Sequence, residues 1–85
     1  MYSLQFHKKA FKDRDKLKQY PKLYKKAQTI IAELQKNPYN SKELKGDLSP
    51  QRSCRIDLKH RIVFLIDEPK KVVKILSMWG HYDDN

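Results

Sequence analysis

The sequence is short of the residues that several classes of protein require. A single cysteine, Cys54, in 85 residues excludes an intrachain disulfide framework and suits a reducing compartment. No run approaches the roughly 20 consecutive apolar residues of a membrane-spanning helix. The opening MYSLQFHKKAFKDRDK also lacks the apolar centre of a secretory signal, so a cytoplasmic protein is expected. No histidine, cysteine or aspartate stands at metal-ligand spacing from another, and neither a metal nor any other cofactor is expected. Internal repeats, low-complexity tracts and a dividing linker are missing too. Residues 1–85 therefore read as one domain, near the lower size limit for a self-sufficient core.

Acidic residues are the other scarcity. Lysine and arginine total 19 against 10 aspartates and glutamates, for a formal charge of +9 and a pI near 9.7. On so small a chain this balance favours a polyanionic partner: nucleic acid, an acidic protein or an anionic membrane surface. A hydrophobic fraction of 39% suffices for one compact core, while a mean hydropathy of −0.88 demands a heavily charged surface.

The apolar residues that are present fall into clear periods. Tyr2, Leu4 and Phe6 alternate with Ser3 and Gln5, the period of a half-buried strand. From Lys8 to Tyr20 a lysine-rich helix is expected, with Ala10, Leu17 and Tyr20 on one face and Phe11 beside them. Pro21 interrupts it, because proline disfavours helical geometry in the preceding residue yet sits well in a first turn. Leu23, Ala27, Ile30, Ile31 and Leu34 then form one stripe of an amphipathic helix, stopped at Asn37-Pro38. The two helices form an antiparallel hairpin. NPYNSKELKGDLSPQ reads as a polar loop with Gly46 and Pro50 as breakers. SCRID places Cys54 and Ile56 on one face of a strand, Arg55 and Asp57 on the other. RIVFLID and KVVKILSMW, joined by DEPKK, read as the central strands of the sheet. The sum is an α+β protein of order β-α-α-β-β-β: a small twisted, largely antiparallel sheet packed against an N-terminal helical hairpin.

The charges fall into two groups. Nine basic residues and only Asp13 and Asp15 lie between Lys8 and Lys26, so the helices present a positive outer surface. The second group, Lys42, Lys45, Arg52, Arg55, Lys59 and Arg61, lies in the loop and on the sheet. An arginine pointing outward from a strand can hold a phosphate through two parallel hydrogen bonds. Its plainer alternative is an ion pair with Asp57 or Glu43. Among the histidines, His7 reads as a surface residue and His60 is left open. His81 follows a buried strand through Gly80 and stands beside Tyr82. An imidazole near guanidinium groups is the combination that acid–base cleavage of RNA needs.

The order of elements, the segment LKGDLSPQRSCRIDLKHRIVFLID and the ending ILSMWGHYDDN resemble the RelE/ParE superfamily of bacterial toxins. They are most similar to its RelE and YoeB-like branch, the ribosome-dependent mRNA interferases with the RelE-like microbial RNase fold. LKGDLS matches the loop leading into the sheet, CRID and HRIVF the arginine-bearing strands, and GHY the closing histidine–tyrosine pair. The resemblance implies a type II toxin that cleaves mRNA on the ribosome without metal, by attack of a 2′-hydroxyl on its own 3′-phosphate. It assigns Arg61 to the scissile phosphate, Arg55 to a second phosphate contact, His81 to acid–base work and Tyr82 to positioning or stacking. Glu43 stands one position from the family's candidate base, and the usual Gly-Lys-Pro-Glu run is missing; Lys42 and Lys45 are candidates to stand in. Lys42, Lys45, Arg52 and Lys59 are expected to contact RNA. The implied partners are a cognate antitoxin, in a toxin–antitoxin hetero-oligomer, and the ribosome with its mRNA, with no membrane. The added Asp83-Asp84-Asn85 departs from the YoeB-like ending. The superfamily's ParE branch, which inhibits DNA gyrase, and a non-catalytic RNA-binding relic of the same fold are the alternatives.

Overall fold

The computed structural model describes residues 1–80. Strand β1 (Ser3–Phe6) leads into helix α1 (Lys8–Leu17), and helix α2 (Pro21–Lys36) follows. A two-residue strand β2 (Lys42–Glu43) and a 3₁₀ turn (Gly46–Leu48) precede β3 (Arg52–Arg55), β4 (Arg61–Asp67) and β5 (Val72–Ser77). The sheet runs β1-β5-β4-β3-β2. Strand β1 pairs parallel with β5, and the other three pairings are antiparallel. This is the expected α+β arrangement with one addition. Strand β2 forms inside the stretch read as loop, where Lys42 and Glu43 pair with Ser53 and Arg52.

Each helix starts and stops where its local chemistry directs. His7 caps α1, its Nδ1 accepting the Lys9 N–H at 3.2 Å. Pro21 opens α2, and Tyr20 before it is held out of the helical region (φ −126°, ψ 83°), as the clash with a following proline favours. Helix α2 buries Ala27, Ile31 and Leu34, with Leu23, Tyr24 and Ile30 packed at the margin. Helix α1 departs from expectation in two ways. It ends at Leu17, so Tyr20 lies outside it and is 51% exposed. Its inward face carries Asp13 between Ala10 and Leu17, and that carboxylate is only 2% exposed.

The core lies between the helices and one face of the sheet. Ile62 and Phe64 of β4, Val73 and Ile75 of β5, and Ile56 and Met78 interleave with Ala10, Leu17, Ala27 and Leu34. Burying a side chain the size of Phe64 contributes about 2–3 kcal/mol. Because side chains alternate across a strand, Arg55, Arg61 and Val63 fall on the face without helices. Val63 is buried there but stands outside the helix-side cluster. An irregularity at Val63/Phe64 shifts the β4–β5 register and increases the local twist.

A polar knot ties the other end of the sheet. Glu68, in the β4–β5 turn, accepts from the Tyr2 hydroxyl at 2.7 Å and the Tyr39 hydroxyl at 2.6 Å, and pairs with the Lys71 ammonium. The Lys71 hydrogen bond, then those from Tyr2 and Tyr39, hold the Glu68 carboxyl down to about 2. The same bond to Glu68 raises the Tyr39 phenol to about 12.

Candidate nucleic-acid interface

The arginines that the sequence singles out are neighbours. Arg55, the last residue of β3, lies directly opposite Arg61, the first residue of β4. Directly opposed residues on antiparallel strands have Cα atoms about 4.5–5.5 Å apart and project to the same side. Two like charges so placed repel unless an anion lies between them. Neither has a carboxylate partner among the described residues, and the two acids that might have neutralised them are engaged elsewhere. Glu43 lies 3.9 Å from Arg52. Asp57 accepts the backbone N–H groups of Lys59 at 2.8 Å and His60 at 2.7 Å, closing the β3–β4 turn. Burial works to raise the Asp57 carboxyl, but those two donors outweigh it and leave its pKa below the ordinary value.

The remaining candidates divide by strand parity. Lys42 shares a row with Ser53 and Val63, on the face that carries the arginine pair. Glu43 shares a row with Arg52 and Phe64, which belongs to the helix-covered face. The register therefore brings Lys42, and not Glu43, to the side of Arg55 and Arg61. Glu43, Lys42, Leu44 and Lys45 line one shallow depression at the sheet edge. Arg52 is committed within the chain: its Nε donates to the Ser41 hydroxyl at 2.8 Å and its Nη2 to the carbonyls of Tyr39 and Ser41 at 3.2 and 3.1 Å. It fastens the loop after α2 to β3. Lys59 is exposed in the turn joining Arg55 to Arg61. His81 and Tyr82 lie outside the described residues.

Three features escaped the sequence reading. Asp13 accepts the Met78 N–H at 2.9 Å and the Lys9 ammonium at 2.9 Å, binding α1 to the residues after β5. The His60 Nδ1 accepts the Gly80 N–H at 2.8 Å. A pocket of about 420 Å³ lies beside Gly80, lined by His7, Lys9, Val63, Leu76, Ser77, Trp79 and Gly80. His7 is thus both a helix cap and a pocket wall. No local pattern announces the Asp13–Met78 and His60–Gly80 bonds, which join residues far apart in the chain. Cys54 is half-buried, and burial pushes its thiol pKa up, which suits a packing group. Among the described residues no cluster of metal-ligating side chains is present, and no helix is long and apolar enough to cross a membrane.

The arginine pair thus lies on the sheet face opposite the two helices of a small α+β protein. Residues 4–84 match the family model described as the ParE toxin of the type II toxin–antitoxin system parDE, and the chain belongs to this family. No curated protein sequence matches it significantly. The fold is shared with solved structures of the wider RelE/ParE group. A YoeB/ParE toxin from Agrobacterium tumefaciens superposes with a TM-score of 0.87 at 20% identity, over 94% of this chain and 99% of that one. The YoeB–YefM complex from Staphylococcus aureus gives 0.81 at 27% identity, over 96% and 99%. The intact RelBE toxin–antitoxin complex of E. coli gives 0.82 at 20% identity, over 98% and 100%.

Proposed function

We propose that the chain is a ribosome-dependent, metal-independent mRNA endoribonuclease of the cytoplasm, restrained by a cognate antitoxin. The observation that carries this reading is the Arg55–Arg61 pair, opposed on the helix-free face with no carboxylate between them among the described residues. In the proposed reaction the RNA 2′-oxygen bonds to the adjacent phosphorus as the P–O5′ bond breaks. The 2′-proton passes to a base, and the 5′-oxygen leaves with a proton from an acid. A 2′,3′-cyclic phosphate and a 5′-hydroxyl result. Negative charge grows on the phosphate oxygens in the transition state, where prepositioned guanidinium groups act most strongly. Arg61 holds the scissile phosphate, Arg55 the same or the neighbouring one, and His81 exchanges the protons with Tyr82 beside it. The row that carries Lys42 makes it better placed than Glu43 to aid proton transfer, while Lys45 and Lys59 flank the RNA path.

The antitoxin follows from charge and kinship. A surface of this sign suits an acidic partner, and the S. aureus and E. coli relatives are solved as complexes with antitoxins. The match to the ParE model favours a second reading, inhibition of DNA gyrase, which needs no RNA-cleaving site. One experiment separates the two. The chain is induced, mRNA 5′ ends are mapped, and plasmid supercoiling is measured in the same cells. Codon-phased cuts that vanish with Arg61→Ala support the nuclease; uncut mRNA with lost supercoiling overturns it in favour of gyrase.

A further inference from the structure

The pocket beside Gly80 opens on the same sheet face as the arginine pair. Val63 lines it, and Arg61 precedes Val63 by two residues, so both side chains leave β4 on the helix-free side, about 6.5 Å apart along the strand. The pocket wall also meets Arg61 through the backbone, whose N–H donates to the Gly80 carbonyl at 2.9 Å. His7 belongs to this face too, because Leu4 and Phe6 before it pack on the helix side and side chains alternate along a strand. The irregularity in the β4–β5 ladder adds to the wall. Val63 pairs with Ser77 and Phe64 with Ile75, which leaves Leu76 as an extra residue between them. Bulges re-aim side chains, and here Leu76 and Ser77 both line the pocket.

The lining joins apolar surface to hydrogen-bond donors. Val63, Leu76 and the Trp79 indole supply the apolar part. The indole is held by the His60 ring at 4.3 Å and the Tyr20 ring at 5.7 Å, centroid to centroid, and neither of those residues lines the pocket. An aromatic wall fixed in this way is a platform on which a flat ring can stack. His7 Nδ1 accepts the Lys9 N–H, so the neutral ring carries its proton on Nε2 and offers a donor there. The Lys9 ammonium gives one donor to Asp13 and keeps the others. Both polar groups of Gly80 are taken, its N–H by His60 Nδ1 and its carbonyl by Arg61. The walls thus offer donors in excess of acceptors.

We propose that this pocket takes a nucleobase of the bound RNA, and that it favours the carbonyl-bearing guanine and uracil over adenine and cytosine. The inference rests on the nuclease reading and deepens it: the nucleotide beside the phosphate on Arg61 places its base here. It uses no residue after Gly80. The volume of about 420 Å³ lies within the roughly 300–1,000 Å³ of small-molecule sites. Guanine presents O6 and N7 as acceptors, and uracil presents O4; adenine and cytosine present an amino group that meets the His7 and Lys9 donors without a partner.

Trp79 is the only tryptophan in the chain, so its fluorescence reports on the pocket directly. The probes are 2′-O-methyl RNA trinucleotides, whose blocked 2′-oxygen cannot attack, with G, U, A or C at the centre. A fifth has an abasic centre and keeps the phosphates. The G and U probes should quench Trp79 and bind at least about 5-fold more tightly than the abasic probe, with A and C between them. Ser77→Phe adds a ring to the pocket wall and leaves every arginine in place. By calorimetry it should bind the G and abasic probes alike. Fluorescence that no probe changes, or an abasic probe that matches guanine, overturns the base pocket. An A or C probe that equals G and U overturns the choice of base. Cleavage of mRNA on ribosomes is followed alongside. Cut mRNA with a silent Trp79 overturns the pocket and leaves the nuclease reading intact, whereas uncut mRNA with a quenched Trp79 overturns the nuclease reading and leaves the pocket as a base-binding site. If Ser77→Phe does not fold, the wild-type titration decides alone.

Discussion

Arg55 and Arg61 face each other across the β3–β4 ladder, two like charges where a sheet ordinarily places opposite or apolar partners. Such a pair costs stability, by less than about 1 kcal/mol at an exposed site. An anion bridging the two guanidinium groups would lower that cost, as the proposed phosphate-binding role requires.

Removing one member should therefore separate stability from activity. Arg55→Thr and Arg61→Thr are expected to melt at or slightly above the wild-type temperature, since threonine suits a strand and the repulsion is gone. Their RNA cleavage should fall by about 10²- to 10³-fold. Calorimetry beside a ribosome cleavage assay checks both; an active Arg61→Thr contradicts the proposed mechanism.

Asp13 predicts the opposite pattern, a loss of fold. Its carboxylate is buried and satisfies the Met78 N–H. Asp13→Ala leaves that donor unpaired in the core at a cost of about 1–3 kcal/mol. Asp13→Asn keeps an acceptor and should lose less. Urea denaturation of both variants gives the comparison, and equal midpoints would show that the hydrogen bond contributes nothing.

The Glu68 knot sets a pH dependence. Its carboxyl is held near 2 against an ordinary 4.5, so the folded state binds the proton less readily than the unfolded chain. Its contribution to stability is full above about 4.5 and is lost as pH falls from there through about 2. At the alkaline end the raised Tyr39 phenol works in reverse, contributing below its ordinary 10.0 and losing that contribution as pH rises through about 12. Glu68→Gln should flatten the acid limb of a stability–pH curve and bring the Tyr39 titration, followed by ultraviolet absorbance, back toward 10.0.

The helix lysines predict a salt effect. Lys22, Lys25 and Lys26 are exposed on α2. If they contact ribosomal phosphates, replacing all three with glutamine should weaken ribosome binding. The slope of log affinity against log salt should also fall by up to about 0.7–0.9 per lost contact. An unchanged slope shows that these lysines face only solvent.

Much of this architecture was readable because it is local. The stripe from Leu23 to Leu34 specified α2, since one helical face at that spacing can bury only against something apolar. Pro21 and Asn37-Pro38 marked its ends. The runs RIVFLID and KVVKILSMW appeared as central strands, and the arginines as outward residues beside apolar neighbours. Tyr20 misled, because a helical period cannot show that the turn before Pro21 has already left the helix. Asp13 misled for a related reason: it occupies a core-facing helical position, and only the N–H of Met78, 65 residues away, makes a carboxylate there tolerable. Strand β2 was invisible, as two polar residues carry no period of their own and owe their conformation to β3.

The sequence by itself determined the kinds and order of the two helices and the four longer strands, the sign of the net charge and the outward-facing arginines, because periodicity and turn chemistry are local and charge is a matter of composition. The tertiary structure alone decided what those residues meet. Cross-strand register, which reverses the facing of a side chain with a shift of one residue, put Lys42 on the arginine face and Glu43 on the other. Packing between α1 and the end of β5 turned Asp13 from a surface charge into a buried acceptor, and the fold of the β3–β4 turn brought His60 onto Gly80. Such contacts join positions far apart in the chain, and their free energy depends on the folded geometry that creates them.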